Sequence, residues 1–261
     1  MRTKLSILLA APFILLAATP NSSVAQQTNN SSALTNQAAP SATSFSVRIM
    51  PKSVGTLKIL VPKDVAQDAA GNANAATGEQ GVAANRAMAE TTAAALGCSA
   101  DEVLVCSTGV IGQQLPTDKL LPAIERAATD LSASSMEVAR AILTTDLVPK
   151  EASAAGPGFS VAGIAKGSGM IHPNMATMLA FLVTDASVSS EDLSAALSEV
   201  NARTFNAISV DGDTSTNDTV ILQATGKGQS LERGGPGWGD FIDTLEVVAQ
   251  KLAFAIVSDG E

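Results

Sequence analysis

The chain has no tyrosine, one tryptophan and one histidine, and aromatic residues make up only 3% of its 261 positions. Base-stacking platforms and aromatic cages for cations need more rings than this. Cations are scarce as well. Sixteen Lys and Arg against 25 Asp and Glu give a net charge of -9, and no basic cluster is present to neutralise phosphates, so nucleic acid is excluded as a partner. The only cysteines are Cys98 and Cys106. They lack Cys-x-x-Cys spacing and an accompanying histidine, which disfavours a metal site, and they read as small buried apolar side chains. The lone His172 sits in a His-Pro-Asn turn with no serine or cysteine at an evident spacing, so a histidine-based catalytic pair is disfavoured and the residue is assigned no role. What the chain does have is apolar content: 46% of its residues are hydrophobic, enough to bury a sizeable core in one large or two small domains.

The N-terminus has its own layout. Arg2 and Lys4 precede an apolar stretch from Leu5 to Ala18, and Ser23-Val-Ala25 offers small residues before Gln26, so residues 1–25 read as a secretory signal peptide. The apolar stretch is too short for a stable membrane span. Residues 26–46 are rich in Ser, Thr, Asn, Gln, Ala and Pro, the composition of a disordered linker. The folded domain is therefore expected over 47–261.

Within it, Ala83 to Leu96 is an alanine-rich helix closing on Gly97, and Asp101 to Ser107 a short buried strand that delivers the Thr108-Gly109 turn. Thr117 caps a helix with Leu120, Leu121, Ile124, Ala128 and Leu131 on one face, and Ser134 and Glu137 form a capping box for a helix ending near Thr144. Gly156 to Gly169 alternates glycine with apolar residues, as a strand and turn approaching a site closely would. Strands are expected at Leu179 to Thr184, Ala207 to Val210 and Thr219 to Gln223. Helices are expected at Ser189 to Asn201 and, after the Gly234 to Gly239 turn, along Phe241, Leu245, Val248, Leu252 and Ile256. Strands alternating with helices give an α/β class.

The segment from Lys166 through Ala176 and Thr177 to Asp185 carries the chemistry. A threonine directly follows a small residue, between a glycine-rich turn and an apolar run. A threonine hydroxyl is too weakly acidic to attack a carbonyl unaided. Threonine enzymes therefore free the residue as a chain N-terminus and use its own amine as base, which cleavage between Ala176 and Thr177 would achieve. On spacing alone, Thr177 reads equally as a β-branched residue opening a strand, Ser107-Thr-Gly109 as an ordinary turn, and Lys166 as a solvated lysine. Asp211-Gly-Asp-Thr-Ser-Thr-Asn-Asp218 places oxygen donors as a calcium loop does, but Thr216 stands at position six and Leu222 at position twelve, so it is not an EF-hand. It reads as a hydrogen-bonded loop beneath the site. Asn72, Asn74 and Thr77 lie in a glycine-flanked loop without the lysine of a phosphate-binding loop and are taken as structural.

The motifs occur in series: Gly71-Asn-Ala-Asn-Ala-Ala-Thr-Gly-Glu-Gln-Gly81, Ser107-Thr-Gly-Val-Ile-Gly112, Thr144-Thr-Asp146, the Lys166 block, Asp211 to Asp218, and Ser258-Asp-Gly-Glu261. In this order and spacing the chain resembles the ornithine acetyltransferase family, also called bifunctional glutamate N-acetyltransferase, of arginine biosynthesis. The resemblance implies a self-cleaving fold related to the threonine/serine-nucleophile aminopeptidases, with strands layered with helices. Residues 47–176 would become the α chain and 177–261 the β chain. It implies an enzyme that moves an acetyl group from N-acetylornithine to glutamate through an acetyl-threonine.

By matching positions, Thr177 is the nucleophile, the Thr108 hydroxyl and Gly109 N–H stabilise the oxyanion, and Thr144, Lys166, Thr177 and Glu261 bind substrate. No cofactor is required, and acetyl-CoA is an optional co-substrate. The implied partners are small-molecule substrates and the cleaved chains themselves, assembled as a homo-oligomer of heterodimers. Two departures stand out: the signal-like N-terminus points to export where the family works in the cytoplasm, and members continue past the Asp-Gly-Glu motif at which this chain stops. The alternatives left open are a secreted threonine-nucleophile amidohydrolase or aminopeptidase, and an inactive fragment.

Overall fold

The computed structural model describes residues 77–108, 112–129, 135–172, 178–213 and 218–260 in full, and the backbone alone at 8–10, 13–17, 23–28, 58–59, 72–73 and 110–111. It divides into two compact units, 1–23 with 49–149 and 24–48 with 150–261. The Ala176–Thr177 bond thus falls within the sequence range of the second unit, while the division between units comes after Pro149.

In the first unit, short strands β1 (Leu8–Ala10), β2 (Phe13–Ala17), β4 (Lys58–Ile59), β5 (Asn72–Ala73), β6 (Val103–Ser107) and β7 (Val110–Ile111) accompany helices α1 (Gly78–Leu96), α2 (Thr117–Ala128) and α3 (Ser135–Ala141). The segment read as signal-like supplies β1 and β2, and β2 aligns antiparallel to β6 with Phe13 opposite Ser107. An apolar run this short does not by itself choose between strand and other uses. Helix α1 starts at Gly78, upstream of the expected Ala83, and ends where the sequence indicated: Gly97 adopts φ 72 and returns its N–H to the Ala93 carbonyl, a left-handed cap that favours glycine. Its small and flexible side chains Ala84, Met88 and Ala93 pack with Val103 of β6 and with Leu120, Ile124 and Ala127 of α2. Pro116, not Thr117, precedes α2. Leu131 and Ser134 lie outside the described residues.

The second unit is a mixed sheet in the order β3-β11-β10-β9-β8, from β3 (Ser23–Thr28), β8 (Lys150–Gly156), β9 (Phe159–Lys166), β10 (Leu179–Thr184) and β11 (Thr219–Ala224), with helices α4 (Ser190–Arg203) and α5 (Trp238–Ser258). Strands β8 and β9 form a hairpin in which Gly156 opposes Phe159, closed by Pro157 and by Gly158 at φ 80, a value that a tight turn requires and glycine supplies. Strand β10 runs antiparallel to β9 and parallel to β11. A parallel neighbour demands a crossover, and α4 makes it. Ala180, Leu182, Val220 and Leu222 pack against Leu193 and Leu197 of α4 and against Phe241, Leu245, Leu252 and Ile256 of α5. Each such large side chain taken out of water is worth about 1.5–3 kcal/mol. Gly163 of β9 faces α5 where a Cβ would meet the Leu252 side chain at 3.0 Å and that of Leu182 at 2.8 Å, so the helix lies directly on the strand. Ile164, Phe181 and Ile221, on the opposite face, are buried too. Burial on both faces explains why β10 and β11 read as continuous apolar runs instead of alternating.

Two expectations are corrected. The strand expected at Ala207 to Val210 is a 3-10 turn, Phe205–Ala207, followed by a non-repeating segment. Its polar groups are spent on cross-links to another loop, described below, and are unavailable for a ladder. Strand β8 has no counterpart among the expected elements, because Glu-Ala-Ser-Ala-Ala-Gly lacks the branched and aromatic residues that mark strands. Pairing to β9 creates it.

Candidate active site

The strand register brings one end of the second unit's sheet to a focus. Lys166, the last residue of β9, lies opposite Leu179, the first of β10. Leu179 in turn lies opposite Thr219, the first of β11, and Lys150, the first of β8, opposes Ala165. Thr177, two residues before Leu179 in the sequence, lies with Ala176 outside the described residues; β10, the strand that comes next in the chain, starts at this end. Lys166 is 1% exposed, which removes the solvated-lysine reading. Helix α5 also terminates here: Asp259, its C-terminal cap, meets Lys150 Nζ at 2.6 Å in an ion pair whose side chains are 0% and 4% exposed. A Cβ on Gly260 would come 2.9 Å from Val210, so the chain entering Glu261 is pressed against the acidic-loop segment. Glu261 itself lies outside the described residues.

That segment grips the loop ahead of Thr177. Asp211 accepts the N–H groups of Met170 and Ile171, the latter at 2.8 Å. Val210 N–H and the Ser209 hydroxyl donate to the Ile171 carbonyl at 2.8 and 3.2 Å. Met170 itself holds φ 58, a left-handed conformation that a residue with a side chain adopts at a cost of about 1–2 kcal/mol. At the other end of the loop, buried Asp218 accepts the Met178 N–H at 2.8 Å, and Thr219 N–H donates to the Met178 carbonyl at 3.1 Å. The backbones of Ile171 and Met178 are therefore each fixed on both sides by residues 209–219. Burial raises the Asp211 carboxyl pKa, but the N–H groups of Met170, Asp213 and Ile171 outweigh it and hold the group below the ordinary carboxylate value. The loop of Asp211 to Asp218 was legible as hydrogen-bonded; which amides its carboxylates take was not.

In the first unit, Thr108 follows β6 and is buried at 3% exposure; Gly109 lies outside the described residues. Asn72 is not in a loop: it belongs to β5, which pairs in parallel with β7 just after position 109. Thr77 reinforces this junction, its carbonyl accepting from Gln114 Nε2 at 3.1 Å. Asn74 lies outside the described residues. Thr144 is exposed, with its N–H donating to Asp146 Oδ2 at 3.3 Å. Cys106 is buried as expected, whereas Cys98 is half-buried. His172 Nδ1 lies 3.4 Å from the Ser209 hydroxyl, a pairing across 37 positions that sequence spacing gave no reason to expect. Among the described residues, no group of His, Cys, Asp and Glu is arranged to hold a metal, and no helix is long and apolar enough to cross a membrane.

A family model described as ArgJ family matches residues 27–261. The chain belongs to the ArgJ family. The ArgJ match begins well upstream of Gly71, so the likeness extends into the linker-like segment and through residues 47–67, where no motif marks it. Relatives called arginine biosynthesis bifunctional protein ArgJ include that of Chlorobaculum tepidum, 51% identical over 196 residues, covering 73% of this chain and 48% of the relative. That of Thermus thermophilus is 52% identical over 192 residues, covering 74% and 49%. That of Geobacter sulfurreducens is 47% identical over 198 residues, covering 73% and 50%. The chain spans about half the length of these curated ArgJ relatives.

Proposed function

We propose that this chain carries the nucleophile of an acetyltransferase that moves acetyl from N-acetylornithine to glutamate in arginine biosynthesis, on a self-cleaving fold of the threonine/serine-nucleophile aminopeptidase kind. The observation that carries the reading is the burial of Lys166 at the end of β9, opposite the residue two positions after Thr177. A buried cation at the end of the sheet where β10 begins suits a substrate with a carboxylate, and both substrates have one.

In the precursor, the Thr177 hydroxyl attacks the Ala176 carbonyl carbon, the peptide becomes an ester, and water hydrolyses it to leave Ala176 as a carboxylate and Thr177 as a free amine. That amine, with an unperturbed pKa of about 7.7–8.0, takes the hydroxyl proton in the next attack. The hydroxyl oxygen adds to the acetyl carbonyl, ornithine leaves with the proton, and an acetyl-threonine ester remains. Glutamate's amine then takes the acetyl group. By family resemblance Thr108 and Gly109 supply the oxyanion donors, each worth roughly 2.7–4 kcal/mol of barrier, and Thr144 and Glu261 contact substrate. Acetyl-CoA enters only as an optional alternative acetyl donor.

The test is a time course of intact mass on purified protein. Two fragments divided at Thr177, with the Thr177→Val chain staying whole, support the reading; an uncut wild-type chain overturns it. Incubation with N-acetylornithine then separates transfer from hydrolysis: ornithine release independent of glutamate favours an amidohydrolase.

A further inference from the structure

Asp211 and Asp218 take part in no step of the reaction just described, yet they are the two ends of one acidic loop and each holds one flank of the segment containing the scissile bond. Ile171 and Met178 have both N–H and C=O committed to residues 209–219. Six residues, 172–177, must therefore bridge two fixed points, and the entry to that bridge includes Met170 at φ 58. Fixing both flanks of a short segment reduces the number of conformations open to the peptides between them. Attack by a hydroxyl on its own preceding carbonyl depends on the direction in which that carbonyl faces, and small misplacements in such intramolecular attacks are costly.

We propose that Asp211 and Asp218 form a two-point clamp that positions the 176–177 peptide for self-cleavage, Asp218 also positioning the new N-terminal threonine after the cut. This rests on the proposed role of Thr177. Both are positioning residues, since they act through backbone amides. The asymmetry follows from the chemistry: cleavage breaks the covalent link between the two anchors. Asp218 still holds the residue next to Thr177, while Asp211 holds only the flank that no longer carries it.

The experiment follows cleavage of the full chain by intact mass for wild type, Thr177→Val, Asp211→Asn and Asp218→Asn, with thermal unfolding midpoints as a control for folding. Asparagine keeps an acceptor oxygen and the side-chain size but removes the charge that strengthens the bond. Asp218→Asn is expected to slow both cleavage and acetyl turnover per cleaved molecule by about tenfold, and Asp211→Asn to slow cleavage by about tenfold but turnover by much less. If Asp218→Asn does not fold, Asp211→Asn, on an exposed carboxylate, carries the test through its cleavage-to-turnover ratio. Wild-type cleavage rates in the Asn variants overturn the clamp while leaving the nucleophile intact. Equal losses in cleavage and turnover that track a lowered folded fraction overturn it in favour of a merely structural role. A wild-type chain that never cuts removes the Thr177 reading and this inference together.

Discussion

The two ends of the second unit's sheet are held in different ways. At the end where β9 finishes and β10 and β11 begin, carboxylates do the holding: Asp259 pairs with Lys150, Asp218 takes the Met178 amide, and Asp211 takes those of Met170 and Ile171. At the opposite end, where β10 and β11 finish, main chain holds main chain: Thr225 N–H to Thr184 C=O at 2.9 Å, Ser187 N–H to Gln229 C=O at 2.8 Å, Leu231 N–H to Ser187 C=O at 2.9 Å. There Phe241 packs edge-on to Phe159 with centroids 5.6 Å apart, and the carboxylates that join in, Asp185 accepting the Ser160 N–H and Asp192 that of Arg233, make exposed bonds and are outnumbered by the main-chain ones. Regular turns satisfy their own backbone. A chain that must leave a strand in a non-repeating path cannot, so it borrows acceptors from side chains, and ionised acceptors make the stronger bonds.

The largest expected effect lies at the carboxylate end. Lys150→Met leaves Asp259 buried without its cation, and breaking such a pair costs about 3–5 kcal/mol. Urea unfolding measures it. Replacing both partners, Lys150→Met with Asp259→Leu, should recover much of the loss, because neither charge then remains to be desolvated. If the single variant is as stable as wild type, this end of the sheet does not depend on its charges and the contrast fails.

The quieter end provides the next test. Ser189 caps α4, its hydroxyl accepting the Asp192 N–H at 3.1 Å from an extended backbone. Ser189→Ala should cost about 1 kcal/mol, read from the same urea curves, with no change in the rate of cleavage at Thr177. A cleavage defect of the size expected for Asp218→Asn would mean that the two ends are not functionally distinct.

The same contrast governs what the sequence could disclose. Leu179–Thr184 appears with the bounds that its apolar run indicates, and α4, α5 and β11 follow their periodicity closely, because burial leaves a regular trace in composition. Strand β8 left none, since its alanines and serines take strand form only by pairing with β9. The segment after Phe205 looked like a strand because Ile208 and Val210 are β-branched, yet its amides and hydroxyl bond to a loop 38 positions away. Family resemblance marked Lys166 and Thr177, whereas Lys150 and the partners of Asp211 and Asp218 are long-range pairings. Neither local periodicity nor motif spacing encodes a hydrogen bond between positions 40 apart, such as that from Met178 to Asp218.

The smallest effect separates the two ends by pH. Asp211 has its carboxyl pKa lowered on folding; burial works against this, and the Met170, Asp213 and Ile171 amides outweigh it. A depressed pKa in the folded chain means that the group contributes stability at all pH values above its unfolded value of about 3.9. The contribution fades as pH falls from there and is gone once pH passes below the folded value. The group is exposed, so solvent screens the effect and it should be modest. Comparing wild type with Asp211→Asn, the difference in unfolding midpoint should be constant at neutral pH and shrink below about pH 4. A difference that instead grew on acidification would mean that the carboxylate repels its surroundings, and the grip of residues 209–211 on Ile171 would then rest on Val210 and Ser209 alone.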